Sequence, residues 1–239
     1  MTTAAIVVIG NEILTGKFAD ENSPYLVQRL RELGVTVRRI AVIPDTFRAI
    51  GDEVRRSSDE HDLVFTSGGV GPTHDDITME SIARGFGVPL ETRGELVDVL
   101  RRKLTSPVNE AALRMTQVPQ GAEFWWDGGL IFPLVVMRNV HILPGVPSIL
   151  KLKFEAVAHR FRQIPSLHSA RVVTREREIQ IAARLEEALV RFPGIEIGSY
   201  PRYDEGPMHV IVTIEGVDEQ QVTACAHWLD EHMEPLDLL

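Results

Sequence analysis

The segment best suited to chemistry is a glycine-rich loop with two acids, Ser67-Gly68-Gly69-Val70-Gly71-Pro72-Thr73-His74-Asp75-Asp76-Ile77-Thr78. It follows an apolar run, residues 63–66, that is typical of a buried strand. Glycines let backbone N–H groups approach an anion, and the start of the next helix adds partial positive charge. The loop therefore predicts a phosphate site made of Ser67, Gly68, Gly69, Gly71, Pro72, Thr73 and Thr78.

The adjacent acids Asp75 and Asp76 indicate that a cation takes part in binding. Two carboxylates would repel a bare phosphate at close range unless a metal ion lay between them. The pair therefore favours a metal-bridged phosphate or pyrophosphate. The alternative is a tight structural turn that ends in an acidic helix start.

A second polar loop, Gly10-Asn11-Glu12-Ile13-Leu14-Thr15-Gly16, follows the first apolar run in the equivalent position, with Asp20 and Asn22 beyond it. Its carboxylates and amides could bind ribose hydroxyls, a ring edge or metal-bound water. Capping of the next helix is the alternative. Asp45 could enter the same crevice or cap the helix that follows it.

Pro144 and Gly145 lie in a third turn, which leads from a strand into a helix. The helix start offers another set of N–H donors to a ligand. A plain strand-to-helix turn is the alternative.

The elements between these loops favour an α/β fold. Strand-like runs at residues 4–9, 35–43 and 63–66 alternate with helical patterns at 23–33 and 47–57. Such alternation forms βαβ units and a mainly parallel, doubly wound sheet. The ligand crevice of such a sheet lies beyond the carboxyl ends of its strands, where the first two loops would lie.

Further along the chain, the sequence predicts helices at residues 78–86, 95–104 and 109–117 and strands at 123–126, 130–136 and 140–143. We expect a domain boundary near Ile164-Pro165-Ser166, between domains at 1–164 and 165–239. Residues 170–232 then read as β-α-β-β-α, a small two-layer α+β unit.

Composition narrows the classes of function. The 239 residues carry a formal net charge of −9, of which residues 165–239 contribute −8 and residues 1–164 only −1. An acidic surface repels phosphate backbones, so we expect no nucleic-acid partner. No apolar run approaches the roughly 18 residues of a membrane span, and no signal peptide is visible. One cysteine excludes an intrachain disulfide, and we expect a cytoplasmic protein.

Several familiar catalytic motifs are missing from the sequence. It contains no P-loop, no Gly-x-Gly-x-x-Gly dinucleotide motif, no Gly-x-Ser-x-Gly elbow and no His-x-x-x-His pair. A Walker-type nucleotidase, a serine hydrolase of the elbow type and a zinc hydrolase are therefore disfavoured.

Taken together, the loops resemble the MoaB/Mog molybdopterin-binding fold, and within it the CinA N-terminal domain and the N-terminal domain of eukaryotic FAD synthase. The resemblance rests on Gly10-Asn11-Glu12-Ile13-Leu14-x-Gly16, Asp20-x-Asn22, Pro44-Asp45, Gly68-Gly69-Val70-Gly71-Pro72-Thr73-His74-Asp75-Asp76 and Leu143-Pro144-Gly145-Val146-Pro147. It implies a three-layer α/β/α domain. Residues 170–239 look like the small KH-type subdomain that follows the CinA N-terminal domain.

The resemblance also implies roles for particular residues. Asp45 and Asp76 match the functional acids of the molybdopterin-processing members. Asp75, Asp76 and the glycine loop match the place where CinA-type members hold a metal and pyrophosphate. In this chain Asp20 or Glu12 would help Asp75 and Asp76 to place the ion. The implied cofactor is a divalent ion, Mg²⁺, Mn²⁺ or Co²⁺, with K⁺ as an additional candidate, and the implied assembly is a homodimer.

The leading hypothesis is a metal-dependent pyrophosphatase acting on a dinucleotide of the ADP-ribose or FAD type. Catalysis would involve Asp75, Asp76 and Asp45. The phosphate-bearing ligand would contact Gly10, Asn11, Glu12, Asn22, Pro144, Gly145 and the glycine loop. The alternatives are a molybdopterin- or nucleotide-binding protein without turnover, and a scaffold that uses the fold for dimerisation.

Overall fold

The computed structural model describes residues 2–103, 109–163, 167–203 and 208–236. The chain forms two compact units, unit 1 (Met1–Gln163) and unit 2 (Ile164–Leu239). The expected boundary at Ile164-Pro165-Ser166 and the expected helix end at Leu104 lie outside the described residues.

Unit 1 is built on a six-stranded mixed sheet with the order β2-β1-β3-β8-β7-β6. The strands β2, β1, β3 and β8 are mutually parallel, whereas β7 pairs antiparallel with β8 and β6 pairs antiparallel with β7. A short antiparallel pair, β4 with β5, stands apart. The strands are β1 Thr3–Ile9, β2 Thr36–Ile43, β3 Leu63–Ser67, β4 Leu90–Thr92, β5 Gln117–Pro119, β6 Glu123–Trp125, β7 Leu134–Met137 and β8 Val140–Leu143.

Helices cover both faces of this sheet. They are α1 Asn11–Leu14, α2 Asn22–Glu32, α3 Phe47–Glu60, α4 Thr78–Phe86, α5 Gly94–Lys103, α6 Glu110–Arg114 and α7 Pro147–Val157, followed by a 3₁₀ turn at Ala158–Phe161. Because side chains alternate along a strand, Ile6 of β1 packs with α2 and α7 on one face. Val7 packs with α3 and α4 on the other. The predicted three-layer α/β/α fold with a mainly parallel sheet is thereby confirmed.

Two predicted elements differ from the structure. The strand expected at 130–136 begins only at Leu134, because Gly128 and Gly129 turn the chain with positive φ angles in a 3₁₀ segment before it. The helix expected at 109–117 ends at Arg114, and Gln117–Pro119 pairs with β4 instead. Proline cannot continue a helix, and the β-branched Val118 suits a strand.

Unit 2 contains the strands β9 His168–Thr174, β10 Ile195–Arg202 and β11 His209–Gly216, and the helices α8 Glu178–Arg191 and α9 Glu219–His232. This order, β-α-β-β-α, agrees with the prediction. The strands form an antiparallel sheet in the order β10-β11-β9. Residues of both helices share one apolar core with the strands, including Ile181, Val212, Cys225 and Leu229. Within the described residues of the whole chain, no helix is long and apolar enough to cross a membrane.

Candidate phosphate-binding cleft

A cleft of about 970 Å³ opens at the carboxyl ends of β1, β3 and β8 in unit 1. This volume is at the upper end of the range typical of small-molecule sites. The predicted residues that line it are Glu12, Asp20, Asn22, Asp45, Ser67, Gly68, Gly69, Gly71, Pro72, Asp75, Asp76, Pro144 and Gly145. The structure therefore brings three loops that are distant in sequence to one place.

Thr78 anchors the glycine loop, residues 67–78, through two hydrogen bonds. This buried residue donates its hydroxyl to Gly68 O at 2.9 Å and its N–H to Gly69 O at 3.0 Å. The sequence predicts that Thr78 binds phosphate, but its hydroxyl is committed to the loop and it does not line the cleft. Thr78 therefore positions the loop.

The loop presents backbone donors to the cleft. Gly68 N–H donates to Leu143 O at 3.2 Å. In the described part of the chain, the N–H groups of Gly69, Val70 and Gly71 have no protein hydrogen-bond partner. All three residues line the cleft, and unpaired N–H groups at such positions suit the oxygens of a phosphate, because such groups need a partner.

Asn22 fastens the three loops to one another. Its Nδ2 donates to Ser67 Oγ at 2.8 Å and to Gly145 O at 2.7 Å. The backbones of Gly145 and Gly68 approach so closely that a Cβ on Gly145 would lie 3.3 Å from Gly68 Cα. Asn22 and Ser67 are almost completely buried, and these hydrogen bonds hold the loops together.

Asp75 and Asp76 converge on one hydroxyl at the end of the glycine loop. Thr73 Oγ1 lies 2.5 Å from both Asp75 Oδ1 and Asp76 Oδ2, and Thr73 N–H donates to Asp76 Oδ2 at 2.8 Å. The hydrogen bond from Thr73 lowers the pKa of Asp75 below its usual value. Since a hydroxyl has one proton, it can donate to only one of the two oxygens at a time. The carboxylates of Asp75 and Asp76 therefore lie close together, and at any time only one of them accepts the proton of the Thr73 hydroxyl.

The other predicted acids are held by backbone N–H groups. Asp20 Oδ1 accepts from the N–H groups of Asn22 and Ser23, both at 3.0 Å, at the start of α2. Asp45 Oδ2 accepts from Asn11 N–H at 2.7 Å, which joins the first loop to the end of β2. The cap of α3 is Thr46, so Asp45 remains available to the cleft. Besides Thr78, three predicted ligand contacts do not line the cleft, namely Gly10, Asn11 and Thr73.

Electrostatics favour a cation in this cleft. Among the described residues, its lining contains six carboxylates, Glu12, Asp20, Glu21, Asp45, Asp75 and Asp76, and one cationic side chain, Lys153. Among the described residues, however, no three His, Cys, Asp or Glu side chains lie close enough together to hold a metal ion. Asp20 therefore does not join Asp75 and Asp76 in one ligand group.

Lys153 and an apolar wall are the parts of the cleft that the sequence does not reveal. The apolar wall consists of Phe18, Met79, Met115, Phe132 and Ile149, which also line the cleft. Lys153 belongs to α7, where alternating Leu and Lys in Leu150-Lys151-Leu152-Lys153 give no hint that one lysine turns inward. Only the three-dimensional position of Pro133 and Phe132 against α7 reveals it.

The fold and the site define a mixed α/β domain with a phosphate-type cleft at its strand ends. Residues 5–165 match the family model described as "Probable molybdopterin binding domain", and residues 166–238 match "FAD synthase, middle domain". The chain therefore belongs to the molybdopterin-binding-domain family. The family resemblance predicted from the loop motifs is confirmed.

The similar proteins match either about two thirds of this chain or nearly all of it. A protein of Archaeoglobus fulgidus is 34% identical over 95% of this chain and 96% of its own length. A "Probable FAD synthase" of Caenorhabditis briggsae is 32% identical over 93% of this chain but only 48% of its own length, so the chain spans about half of that relative. The solved structure of the protein CinA from Thermoplasma acidophilum is 29% identical, with a TM-score of 0.62, and covers 68% of this chain and all of its own.

Proposed function

We propose that unit 1 is a metal-dependent pyrophosphatase that cleaves a dinucleotide of the ADP-ribose or FAD type. The observation that carries the proposal is the combination of the unpaired N–H groups of the glycine loop with the paired carboxylates of Asp75 and Asp76. The N–H groups suit the oxygens of a phosphate. The two carboxylates suit a cation that would neutralise the phosphate charge. The match to a FAD synthase middle domain in unit 2 supports a nucleotide as the ligand.

The residues fit a magnesium-type ion better than a fully protein-ligated metal. Mg²⁺ is commonly bound by one or two carboxylates together with substrate phosphates and water, without a cage made only of protein. Asp75 and Asp76 would hold the ion from the end of the loop, and Glu12 lies in the same cleft. When bound, the ion would supply Lewis-acid polarisation of the pyrophosphate.

Each side of the cleft has its own part in the proposed reaction. The N–H groups of Gly69, Val70 and Gly71 would bind and orient the phosphate oxygens. Asp45, fixed through Oδ2 by Asn11 N–H, would take a proton at Oδ1 from the water that attacks phosphorus. The bond from that phosphorus to the bridging oxygen breaks, and AMP and a second phosphate ester leave.

The test is to incubate the protein with FAD or ADP-ribose and Mg²⁺, Mn²⁺ or Co²⁺ and to quantify AMP. Asp76→Asn should lower AMP release by about 100-fold or more, because it removes a proposed metal ligand and a charge. Asp59→Asn, an exposed acid on α3, is the matched control and should be silent. The thermal midpoint of Asp76→Asn should stay close to that of the wild type; a large fall would assign Asp76 a structural role.

A second candidate is a molybdopterin- or nucleotide-binding protein without turnover. The description of the family model as a molybdopterin binding domain favours it. Tight binding of a pterin, with no AMP released under any of the three metals, would support this candidate against hydrolysis.

A further inference from the structure

The tip of the glycine loop, residues 72–75, is exposed to solvent. Its side-chain hydrogen bonds run from Thr73 to Asp75 and Asp76, so they stay within the loop. Such bonds set the shape of the tip. They do not fix its place relative to the sheet and the rest of the cleft.

Arg114, the last residue of α6, holds the tip from outside the loop. Its Nη2 donates to Pro72 O at 2.7 Å. Among the described residues, this is the hydrogen bond that joins residues 72–75 to another part of the chain. A charged guanidinium makes shorter and stronger hydrogen bonds than a neutral donor does, which suits it to such an anchor.

A single peptide unit connects Arg114 to Asp76. The unit between Pro72 and Thr73 contains both the carbonyl that accepts from Arg114 and the N–H that donates to Asp76 Oδ2 at 2.8 Å. Because a peptide unit is planar and rigid, its C=O and N–H turn together. A donor on the C=O also polarises the unit and strengthens the bond that its N–H makes. The place of the Asp76 carboxylate is thereby linked to Arg114.

The segment that carries Arg114 is itself held in place. At the start of α6, Asn109 Oδ1 accepts from Ala112 N–H at 2.9 Å. After α6, Thr116 O accepts from Arg93 N–H at 3.0 Å, and β5 then pairs with β4. α6 is thus a fixed support from which Arg114 reaches the tip of the glycine loop.

We propose that Arg114 is a positioning residue that holds Asp76 in place for a divalent ion through the peptide unit between Pro72 and Thr73. The proposal rests on the proposed function in one respect, the assignment of Asp76 as a metal ligand. Arg114 does not line the cleft and acts only through the loop. Without its hydrogen bond the peptide unit can rotate, and Asp76 then meets the ion in a less favourable geometry.

Binding of Mn²⁺ in the absence of substrate tests this role, because the electron paramagnetic resonance signal of free Mn²⁺ reports binding without turnover. Arg114→Met should raise the Kd for Mn²⁺ about tenfold, as the loss of a group that orients a metal ligand commonly does. Charge alone predicts the opposite sign, since removing a cation beside an acidic loop tightens the binding of a cation. Arg114→Lys, which keeps a charged donor, should recover part of the loss. Arg102→Met, at an exposed position near the end of α5, is the matched control and should leave the Kd unchanged.

A double-mutant cycle shows whether Arg114 acts through Asp76. In an Asp76→Asn background, Arg114→Met should have little further effect on Mn²⁺ binding, because the carboxylate that it positions is gone. The thermal midpoint of Arg114→Met should stay close to that of the wild type.

Four results would overturn the proposal. Unchanged or tighter Mn²⁺ binding by Arg114→Met would mean that Arg114 positions no metal ligand. An equal effect with and without Asp76→Asn would mean that it acts on another group. A large fall in the thermal midpoint would assign it to the stability of the fold, and no binding of Mn²⁺ to the wild type would mean that Asp76 holds no ion. If all variants behave as expected but FAD and ADP-ribose yield no AMP, the role of Arg114 stands and the pyrophosphatase proposal fails.

Discussion

The backbone of Gly68 runs so close to β1 that a side chain has no room. Its φ is +114°, and a Cβ there would collide with the carbonyl oxygen of Ile9. Gly68 O and N–H also bond to Thr78 and Leu143, so the glycine loop is fixed at both its first and last residues. The proposed phosphate binding at Gly69, Val70 and Gly71 would thus depend on this close approach.

We predict that Gly68→Ala lowers the free energy of unfolding by roughly 2 to 4 kcal/mol, because it combines an unfavourable φ with a steric collision. Gly87→Ala is the matched control. Gly87 also has a positive φ, +68°, but no atom lies within 4 Å of the position that a Cβ would take there, so the expected loss is about 1 kcal/mol. Urea unfolding of both variants measures the difference. If Gly68→Ala and Gly87→Ala lose the same free energy of unfolding, a Cβ at Gly68 does not collide with the carbonyl oxygen of Ile9.

A site residue can be predicted from the sequence when its type is unusual for its position. It cannot be predicted when its type is ordinary there. Three glycines and two acids after an apolar strand already predict the phosphate loop. Lys153 is an ordinary helical lysine, and its inward position depends on Pro133 and Phe132, about twenty residues earlier in the chain. The sequence predicts a ligand contact for Thr78 because it cannot show that Gly68 O accepts the hydroxyl instead.

At the scale of elements, α2 and α7 bring residues to the cleft and are joined by one carboxylate. Glu155 of α7 accepts from Tyr25 Oη at 2.5 Å and from Arg29 Nε and Nη2 at 2.6 and 2.9 Å, all from α2. These bonds lower the pKa of Glu155, with Arg29 as the main cause. The cluster holds the helix that bears Asn22 against the helix that bears Lys153.

We predict that Glu155→Gln lowers the free energy of unfolding at pH 7 by at most about 1 kcal/mol, since the carboxylate is partly exposed to solvent. The folded pKa is below the unfolded value, so the contribution is complete above the unfolded pKa of about 4.5 and disappears as the pH falls through the folded pKa. Unfolding curves of wild type and variant should therefore begin to converge below the unfolded pKa of about 4.5 and meet once the pH is below the folded pKa.

Glu60→Gln, an exposed acid at the end of α3, should differ little from the wild type at any pH. A difference between Glu155→Gln and the wild type that persists unchanged at pH 3 would contradict the charge-based account. It would point instead to packing of the side chain.

Periodicity predicts most of the elements that hold this cluster, and it fails where glycines interrupt it. The alternating apolar residues of β1, β2 and β3 and the spacing of α2 and α3 are visible in the sequence. Residues 130–133 are as apolar as a strand, but they follow a turn of two positive-φ glycines, Gly128 and Gly129, and they include Pro133, which has no N–H to donate to a neighbouring strand. Because β7 begins only at Leu134, Phe132 and Pro133 lie outside the strand, and both line the cleft.

At the scale of the whole molecule, each unit has its own apolar core. The two cores of unit 1 lie on opposite faces of its sheet, and that of unit 2 is made of residues after 167. Every residue that lines the cleft belongs to unit 1. Most of the net negative charge belongs to unit 2, because residues 165–239 contribute −8 of the total of −9. The chemistry of the cleft is therefore set within unit 1.

We predict that a polypeptide of residues 1–163 folds by itself and keeps the binding and hydrolytic properties of the full chain within about threefold. Its last residue is tied back to the unit, because Gln163 N–H donates to Leu33 O and Gln163 Oε1 accepts from Thr2 Oγ1, both at 2.8 Å. The solved CinA protein, all of which matches only 68% of this chain, is consistent with such a unit.

A polypeptide ending at Phe161 loses both bonds and should have a lower thermal midpoint. Near-ultraviolet circular dichroism and FMN titration test the folding and the site separately. A folded 1–163 polypeptide that binds no FMN, beside a full-length chain that does, would show that unit 2 takes part in the site.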